Sequence, residues 1–314
     1  MKMKPGIQSI GYSVLAGLTA MTMASSASAA KVSLNTSYEV GDYGSGDSYN
    51  YAGPRIDLTL NPDGSNWYFD LGVRKRNHDS GQTYSRTDLG ASYRYRFANG
   101  WVQTGVKVRR DETLYNAASA GRLLNDQYGI DLNHILALGG NWGLWGDWSF
   151  SMTKETRESS KIISGKLALE TIRSDGYGWE IEQGVRYYLS NFAHMTVSFY
   201  DNGVLQDRGD MWGTGGSKGS TQIRGYYHHR FANGLSIQPY IRIPVGYGHQ
   251  DKWYESAADQ ESKTTRYALQ MNYPITDAIR VNGEYYIEHS KFTPESKKDD
   301  GHSQYFRLGL NFVF

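Results

Sequence analysis

Arginines, lysines and acids recur at every second position along this chain: Arg94 and Arg96 flank Tyr95, Lys107 and Arg109 flank Val108, Glu180 and Glu182 flank Ile181. The same parity, followed through neighbouring segments, collects Arg74, Arg76, Arg86, Arg242, Arg266, Arg280 and Arg307, with Arg55, Arg186, Arg224 and Arg230. Against them stand Asp131, Asp147 and Glu284, with Glu39, Asp57, Asp70, Asp88 and Glu288. Fixed charges on one face do electrostatic work. They set ion preference, and arginine forks also stack on or hydrogen-bond to sugars. The basic groups concentrate in the third to fifth patterned segments and the acids in the sixth to eighth, so the charges of a closed wall would face one another and set up a transverse field.

Bond-breaking chemistry finds little to use. A nucleophile needs a base within reach on the same face; His134 and His194 are the candidates, and no serine or acid pairs with either by pattern. Gly213–Ser220 is glycine-rich and holds Lys218, but its spacing misses the phosphate-loop pattern and a strand follows it. His228 and His229 alternate in parity, so they cannot both ligate one metal. Asp299 and Asp300 sit at a polar loop tip that could share a divalent ion with lipopolysaccharide. Neither a cofactor nor a resident metal is expected.

The elements that position these residues are strands. In the last one, Phe306, Leu308, Leu310, Phe312 and Phe314 share one parity while Arg307, Gly309 and Asn311 share the other. One face suits hydrocarbon and the other water. Elsewhere the apolar parity carries Trp67, Phe69, Leu71 and Val73, then Leu89, Ala91, Tyr93, Tyr95 and Phe97, then Leu144, Trp148 and Phe150, then Val281, Tyr285 and Ile287. Trp67, Phe97, Trp101, Trp142, Tyr187, Phe231 and Phe312 gather at strand ends, as interfacial girdles would. Small residues on the charged parity (Gly72, Gly90, Ser92, Gly105, Gly129, Ser149, Gly184 and Gly309) would leave room inside a barrel.

Six short turns, at Asn61–Gly64, Ala98–Gly100, Gly139–Asn141, Ser190–Asn191, Ala232–Gly234 and Pro274–Asp277, alternate with long polar loops. They imply 14 strands, expected near Lys31–Gly41, Arg55–Leu60, Asn66–Asn77, Tyr84–Phe97, Trp101–Thr113, Gln127–Leu138, Trp142–Thr153, Trp179–Leu189, Ala193–Asp201, Thr221–Phe231, Leu235–Gly248, Thr264–Tyr273, Ala278–Ser290 and Gln304–Phe314. Arg96–Gly100 and Arg230–Gly234 both read Arg-Phe-Ala-Asn-Gly, which suggests one turn used twice. Lys154–Gly178 is long for a loop. It reads as an extended extracellular hairpin, or, if it crosses the membrane, as two more strands.

The fold class is therefore all-β, a transmembrane antiparallel up-and-down barrel of 14 strands. Lys2 and Lys4, an apolar run from about Ile10 to Ala24 and the small residues to Ala30 make residues 1–30 a secretory signal peptide and residues 31–314 the barrel. Without residues 1–30 the formal charge of +1 drops by two lysines, which does not favour nucleic acid. With no cysteine and a mean hydropathy of −0.60, neither a disulfide scaffold nor a membrane helix fits, whereas alternating strands do.

The ending on Phe314 resembles the C-terminal signature of bacterial outer-membrane barrels, which the outer-membrane assembly machinery reads. Gly184-Val185-Arg186-Tyr187-Tyr188, Gly283-Glu284-Tyr285-Tyr286 and Tyr240-Ile241-Arg242-Ile243, within a stretch from Trp142 to Phe314, resemble the monomeric outer membrane porin G family. That resemblance implies a lone 14-stranded chain in outer-membrane lipid and lipopolysaccharide, with a wide pore for small hydrophilic solutes and oligosaccharides and an extracellular loop as gate. It also implies a pH-sensing histidine pair on strands 12 and 13; His289 sits near the second position, but Ser262-Lys263-Thr264 offers no histidine for the first. The oligogalacturonate-specific porins are a second similar group, with fewer strands than the turn count here. An adhesion or enzyme barrel would share the fold.

Overall fold

A computed structural model describes residues 30–43, 50–115, 121–163, 166–206, 216–246, 248–250, 260–293 and 300–314. Residues 1–29 of the expected signal peptide, the glycine-rich 213–215 and the loop tip at 294–299 lie outside the described residues. The strands are β1 (Ala30–Asp42), β2 (Tyr51–Pro62), β3 (Trp67–His78), β4 (Thr83–Phe97), β5 (Gly100–Leu114), β6 (Gly121–Gly139), β7 (Trp142–Ile163), β8 (Lys166–Ser190), β9 (Ala193–Gln206) and β10 (Gly216–Arg230). Two short segments follow, Ser236–Pro244 and Gly248–Gln250. Both pair with β10 on one side and with Gln260–Pro274 on the other, so they are halves of one strand, β11. Then come β12 (Gln260–Pro274), β13 (Ile279–Phe292) and β14 (Gly301–Val313).

Every strand is antiparallel to its neighbours, and β14 returns to β1 through a register from Asp42↔Gln304 to Ser33↔Val313. Phe314 and Val32 exchange two further backbone hydrogen bonds, at 2.9 and 3.1 Å. The sheet is thus a closed 14-strand barrel with no free edge, the condition for backbone amides to lie in hydrocarbon. Among the described residues no helix is long and apolar enough to cross a membrane.

The six short turns fall at one end, the periplasmic end of an outer-membrane barrel, and the long connections at the other. Gly64 in the first turn has φ 69°, a left-handed conformation that glycine adopts without steric cost. The repeated Arg-Phe-Ala-Asn-Gly does not make one turn twice. Phe97 pairs directly with Gly100, leaving a two-residue loop, whereas Phe231 donates to the Leu235 carbonyl and Gly234 turns at φ 86° in a three-residue loop. A Cβ on Gly100 would sit 2.0 Å from the Ile135 carbonyl oxygen, so backbone crowding by β6 distinguishes the first copy.

The strands overrun the expected boundaries on the extracellular side, most in β7 and β8. Their ladder continues without a break from Trp142↔Tyr187 to Ile163↔Lys166, so Lys154–Gly178 is one protruding hairpin and adds no membrane crossing. Backbone pairing propagates past the bilayer because each further rung adds hydrogen bonds; the apolar parity that marks a strand in the sequence stops where lipid stops.

The outer face carries the apolar parity, with Trp67, Phe69, Val73, Leu89, Phe150, Tyr285, Phe306 and Leu308 all exposed. On a soluble protein such a continuous apolar belt would drive aggregation; on a membrane barrel it is the face that suits lipid. Trp101 departs from the expected girdle. It pairs with Arg96 across β4 and β5 and so faces inward.

Candidate functional site

The inner wall holds the charged parity. The register sets Arg55 opposite Arg74, Arg74 opposite Arg86 and Arg86 opposite Asp111, and the same face carries Asp88 opposite Arg109 and Gly90 opposite Lys107. Farther round, Asn133, Asp147 and Glu182 line up, as do Asp131, Ser149 and Glu180. Arg242 faces Arg266, which faces Glu288, and Glu284 faces Arg307. Arg76, Arg94, Arg96 and Arg280 share this face. A concave face draws together side chains two strands apart, and that convergence is visible here.

Three glutamates act as nodes. Glu39 of β1 is fully buried; it accepts from Arg76 Nε at 2.9 Å and from Tyr305 OH at 2.8 Å, with Arg74 Nε 3.2 Å away. Glu182 of β8 accepts from Ser198 Oγ at 2.6 Å, from Tyr226 OH at 2.8 Å and from Arg224 Nη1 at 2.6 Å. Glu284 of β13 accepts from Tyr240 OH at 2.9 Å and from Gln270 Nε2 at 3.0 Å, with Arg307 Nη2 at 3.1 Å. Each node joins its strand to one two places away. Multiple donors to one carboxylate offset the cost of removing it from water.

Between the nodes runs a row of tyrosines that sequence parity contained but did not single out. Tyr305 opposes Tyr286, Tyr286 opposes Ala268, Ala268 opposes Tyr240, and Tyr240 opposes Tyr226. Tyr286 and Tyr305 stack with ring centroids 4.6 Å apart. Arginines cover these and neighbouring rings, with Arg266 Cζ 3.8 Å from the Tyr286 centroid and Arg224 Cζ 3.2 Å from that of Tyr200. On the periplasmic side of the row lies a cavity of about 340 Å³ lined by Asn35, Gln238, Gln270, Asn272, Asn282 and Asn311.

The expected separation of charge is largely cancelled at short range. Arg86 pairs with Asp111 at 2.7 Å, Arg109 with Asp88 at 2.6 Å, Lys107 with Asp131 at 3.7 Å and Arg266 with Glu288 at 2.5 Å. Counting charges per strand missed this, because partners sit on adjacent strands far apart in sequence. Among the described residues, those without an ion pair include Asp147 and Glu180 in the acidic arc, Arg94, Arg96, Arg230 and Arg280 near the periplasmic turns, and Arg186 and Arg242 elsewhere on the inner wall. The space above inward glycines is also partly taken. A Cβ on Gly184 would lie 2.8 Å from Ser198 Cβ, and one on Gly309 would lie 2.7 Å from Ser37 Cβ.

The histidines separate. His134 pairs with Gly146 on the outer face and meets Trp148 edge-on at 5.7 Å, so it cannot serve as a lumenal base. His289 also faces outward, its Nδ1 3.0 Å from that of His302, and does not line the interior as a gating residue would. His194 and His228 do face inward, stacked at 4.8 Å on β9 and β10, whereas His229 faces out. Among the described residues no three metal-ligating side chains come together.

No family model matches the chain, and no curated protein matches it. Solved structures do. The CymD monoaromatic hydrocarbon channel is 9% identical over 91% of this chain and 88% of that one, with a TM-score of 0.56. A Pseudomonas aeruginosa FadL homologue is 9% identical over 91% and 90%, at 0.52. The Pseudomonas putida toluene transporter TodX is 10% identical over 91% and 90%, at 0.50. None of these is a porin G. At such identities the likeness concerns the fold, and with the closed 14-strand sheet it makes this chain a multi-pass outer-membrane β-barrel.

Proposed function

We propose that the barrel is a water-filled channel for passive diffusion of small hydrophilic solutes, oligosaccharides among them, and that it works as a single chain without catalytic activity. The observation that carries this reading is the direction of the inner side chains. The Glu39, Glu182 and Glu284 nodes bind along the wall, to the adjacent strand or the next but one, and leave the axis between opposite walls to water. With 14 strands about 4.8 Å apart and tilted by about 40°, the backbone cylinder has a radius of roughly 14 Å, wider than inward arginines or tyrosines can fill. Hydroxyl, carboxamide and guanidinium groups on that wall replace the hydration of a polyol, and tyrosine edges suit its apolar ring faces.

The apolar groups of the described inner face are aromatic rings set among arginines, acids and carboxamides, such as Trp101 beside Arg94 and Tyr286 under Arg266, so the hydrocarbon cargo named for CymD and TodX finds no continuous apolar surface there, which favours the hydrophilic reading. Outer-membrane lipid and lipopolysaccharide cover the outer belt in this proposal, and the assembly machinery engages the strand ending in Phe314. Planar-bilayer recording of the purified protein, with and without maltooligosaccharides, tests the function. Stepwise ohmic conductance, reduced by added sugar, is expected; a protein that inserts without conducting overturns the channel.

A further inference from the structure

Arg94 stands apart from the paired arginines. No carboxylate lies within ion-pair distance of it among the described residues, yet its guanidinium is held firmly. Cζ lies 4.5 Å from the Tyr68 ring centroid and 4.4 Å from that of Trp101. Its Nε donates to Gln103 Oε1 at 2.9 Å. The Gln103 carboxamide is fixed in turn, since Nε2 donates to Ser92 Oγ at 2.7 Å. Two aromatic rings and a locked acceptor therefore position one half of the fork, and among the described residues the terminal nitrogens Nη1 and Nη2 have no acceptor. Arg96, two residues on and on the same face, adds a second cation roughly 7 Å away along the strand.

We infer that Arg94 is a docking point for the oxyanion of an anionic solute, a carboxylate or a phosphate monoester, at the periplasmic mouth of the barrel. A planar fork with two parallel N–H groups matches two oxygens of such an anion, and a guanidinium already immobilised by stacking loses little freedom on binding. Lysine at this position would keep the charge but lose the fork and the stacking. The inference rests on the channel reading, because the anion must reach the inner wall.

Isothermal titration of the full barrel in detergent, at low salt, uses gluconate and glucose 6-phosphate as probes and glucose as the neutral control. Saturable binding of at least one anion and none of glucose is expected; which anion binds identifies the head group. Arg94→Ala and Arg94→Lys should each weaken it about tenfold, while Arg280→Ala, an unpaired cation on β13, should change it less than twofold. Equal losses at Arg94 and Arg280, or no saturable binding of either anion, overturn the site. Heat-modifiable gel migration verifies that each variant is folded. If Arg94→Ala does not fold, Gln103→Ala, which frees Nε, should still weaken binding at least threefold, and an unchanged affinity there counts against the proposal. Conductance of the same preparations keeps the two readings separate: a conducting barrel that binds neither anion overturns only the site, and a binding barrel that does not conduct overturns only the channel.

Discussion

Arg224 Nη1 donates to Glu182 Oε2 at 2.6 Å, reaching past the whole width of β9, and both side chains are more than nine-tenths buried. Removing one partner strands the other charge away from water, which costs far more than the intact pair contributes. Arg224→Ala or Glu182→Ala is therefore expected to destabilise the barrel by about 3 kcal/mol or more. Arg224→Met combined with Glu182→Gln should cost less than the sum of the single changes. Urea unfolding in lipid vesicles measures all of these, and additive costs would contradict the node.

Past Ser159, where its pairing with β6 ends, the tip of the β7–β8 hairpin pairs only with itself among the described residues. Ser159 pairs with Glu170, so replacing residues 160–169 by Asn-Gly should close the shortened hairpin with a two-residue turn and leave the pairing with β6 intact. Unchanged heat-modifiable migration and conductance are expected. Loss of the folded band would mean that this segment belongs to the barrel's spanning part.

How much of this was legible in the sequence follows from period-2 patterning. A strand facing lipid on one side and water on the other writes its orientation at every residue, so the inward parity of Arg74 or Glu284 and the closing pair of first and last strands could be read directly. Trp101 defeats that reading because an aromatic beside a turn suits either face, and only its pairing with Arg96 decides. The partners of Glu39 are Arg76 on β3 and Tyr305 on β14, far apart in the chain, and no local pattern announces them. Backbone pairing also continues where patterning ends, which is why β8 begins at Lys166 instead of Trp179.

Closure of the barrel ends on Phe314, whose backbone exchanges hydrogen bonds with Val32 at the periplasmic rim. Deleting Phe314 removes that rung and the terminal aromatic together. Cells expressing the deletion should accumulate less heat-modifiable barrel in the outer membrane, whereas Phe314→Tyr should assemble nearly as the native chain. Equal assembly of deletion and native protein would remove any role for the terminal residue.

Selectivity should follow the cations that lack partners and ignore those that have them. Arg109 and Asp88 sit 2.6 Å apart, so Arg109→Ala with Asp88→Ala deletes a neutral pair and should leave the reversal potential in a KCl gradient where it was. Arg94→Ala with Arg96→Ala deletes two uncompensated charges at the mouth and should move it toward cations. The native channel is expected to favour anions modestly at low salt, through the field of Arg94, Arg96 and Arg280 together with Arg186, Arg230 and Arg242, the other inward arginines without an ion pair among the described residues. That field reaches about 8 Å at physiological ionic strength and about 3 Å at 1 M salt, so in a lumen of this width the preference should nearly vanish in concentrated KCl. Marked cation selectivity of the native barrel, or a shift on removing the Arg109 and Asp88 pair as large as that on removing Arg94 and Arg96, would show that the mouth does not set the field.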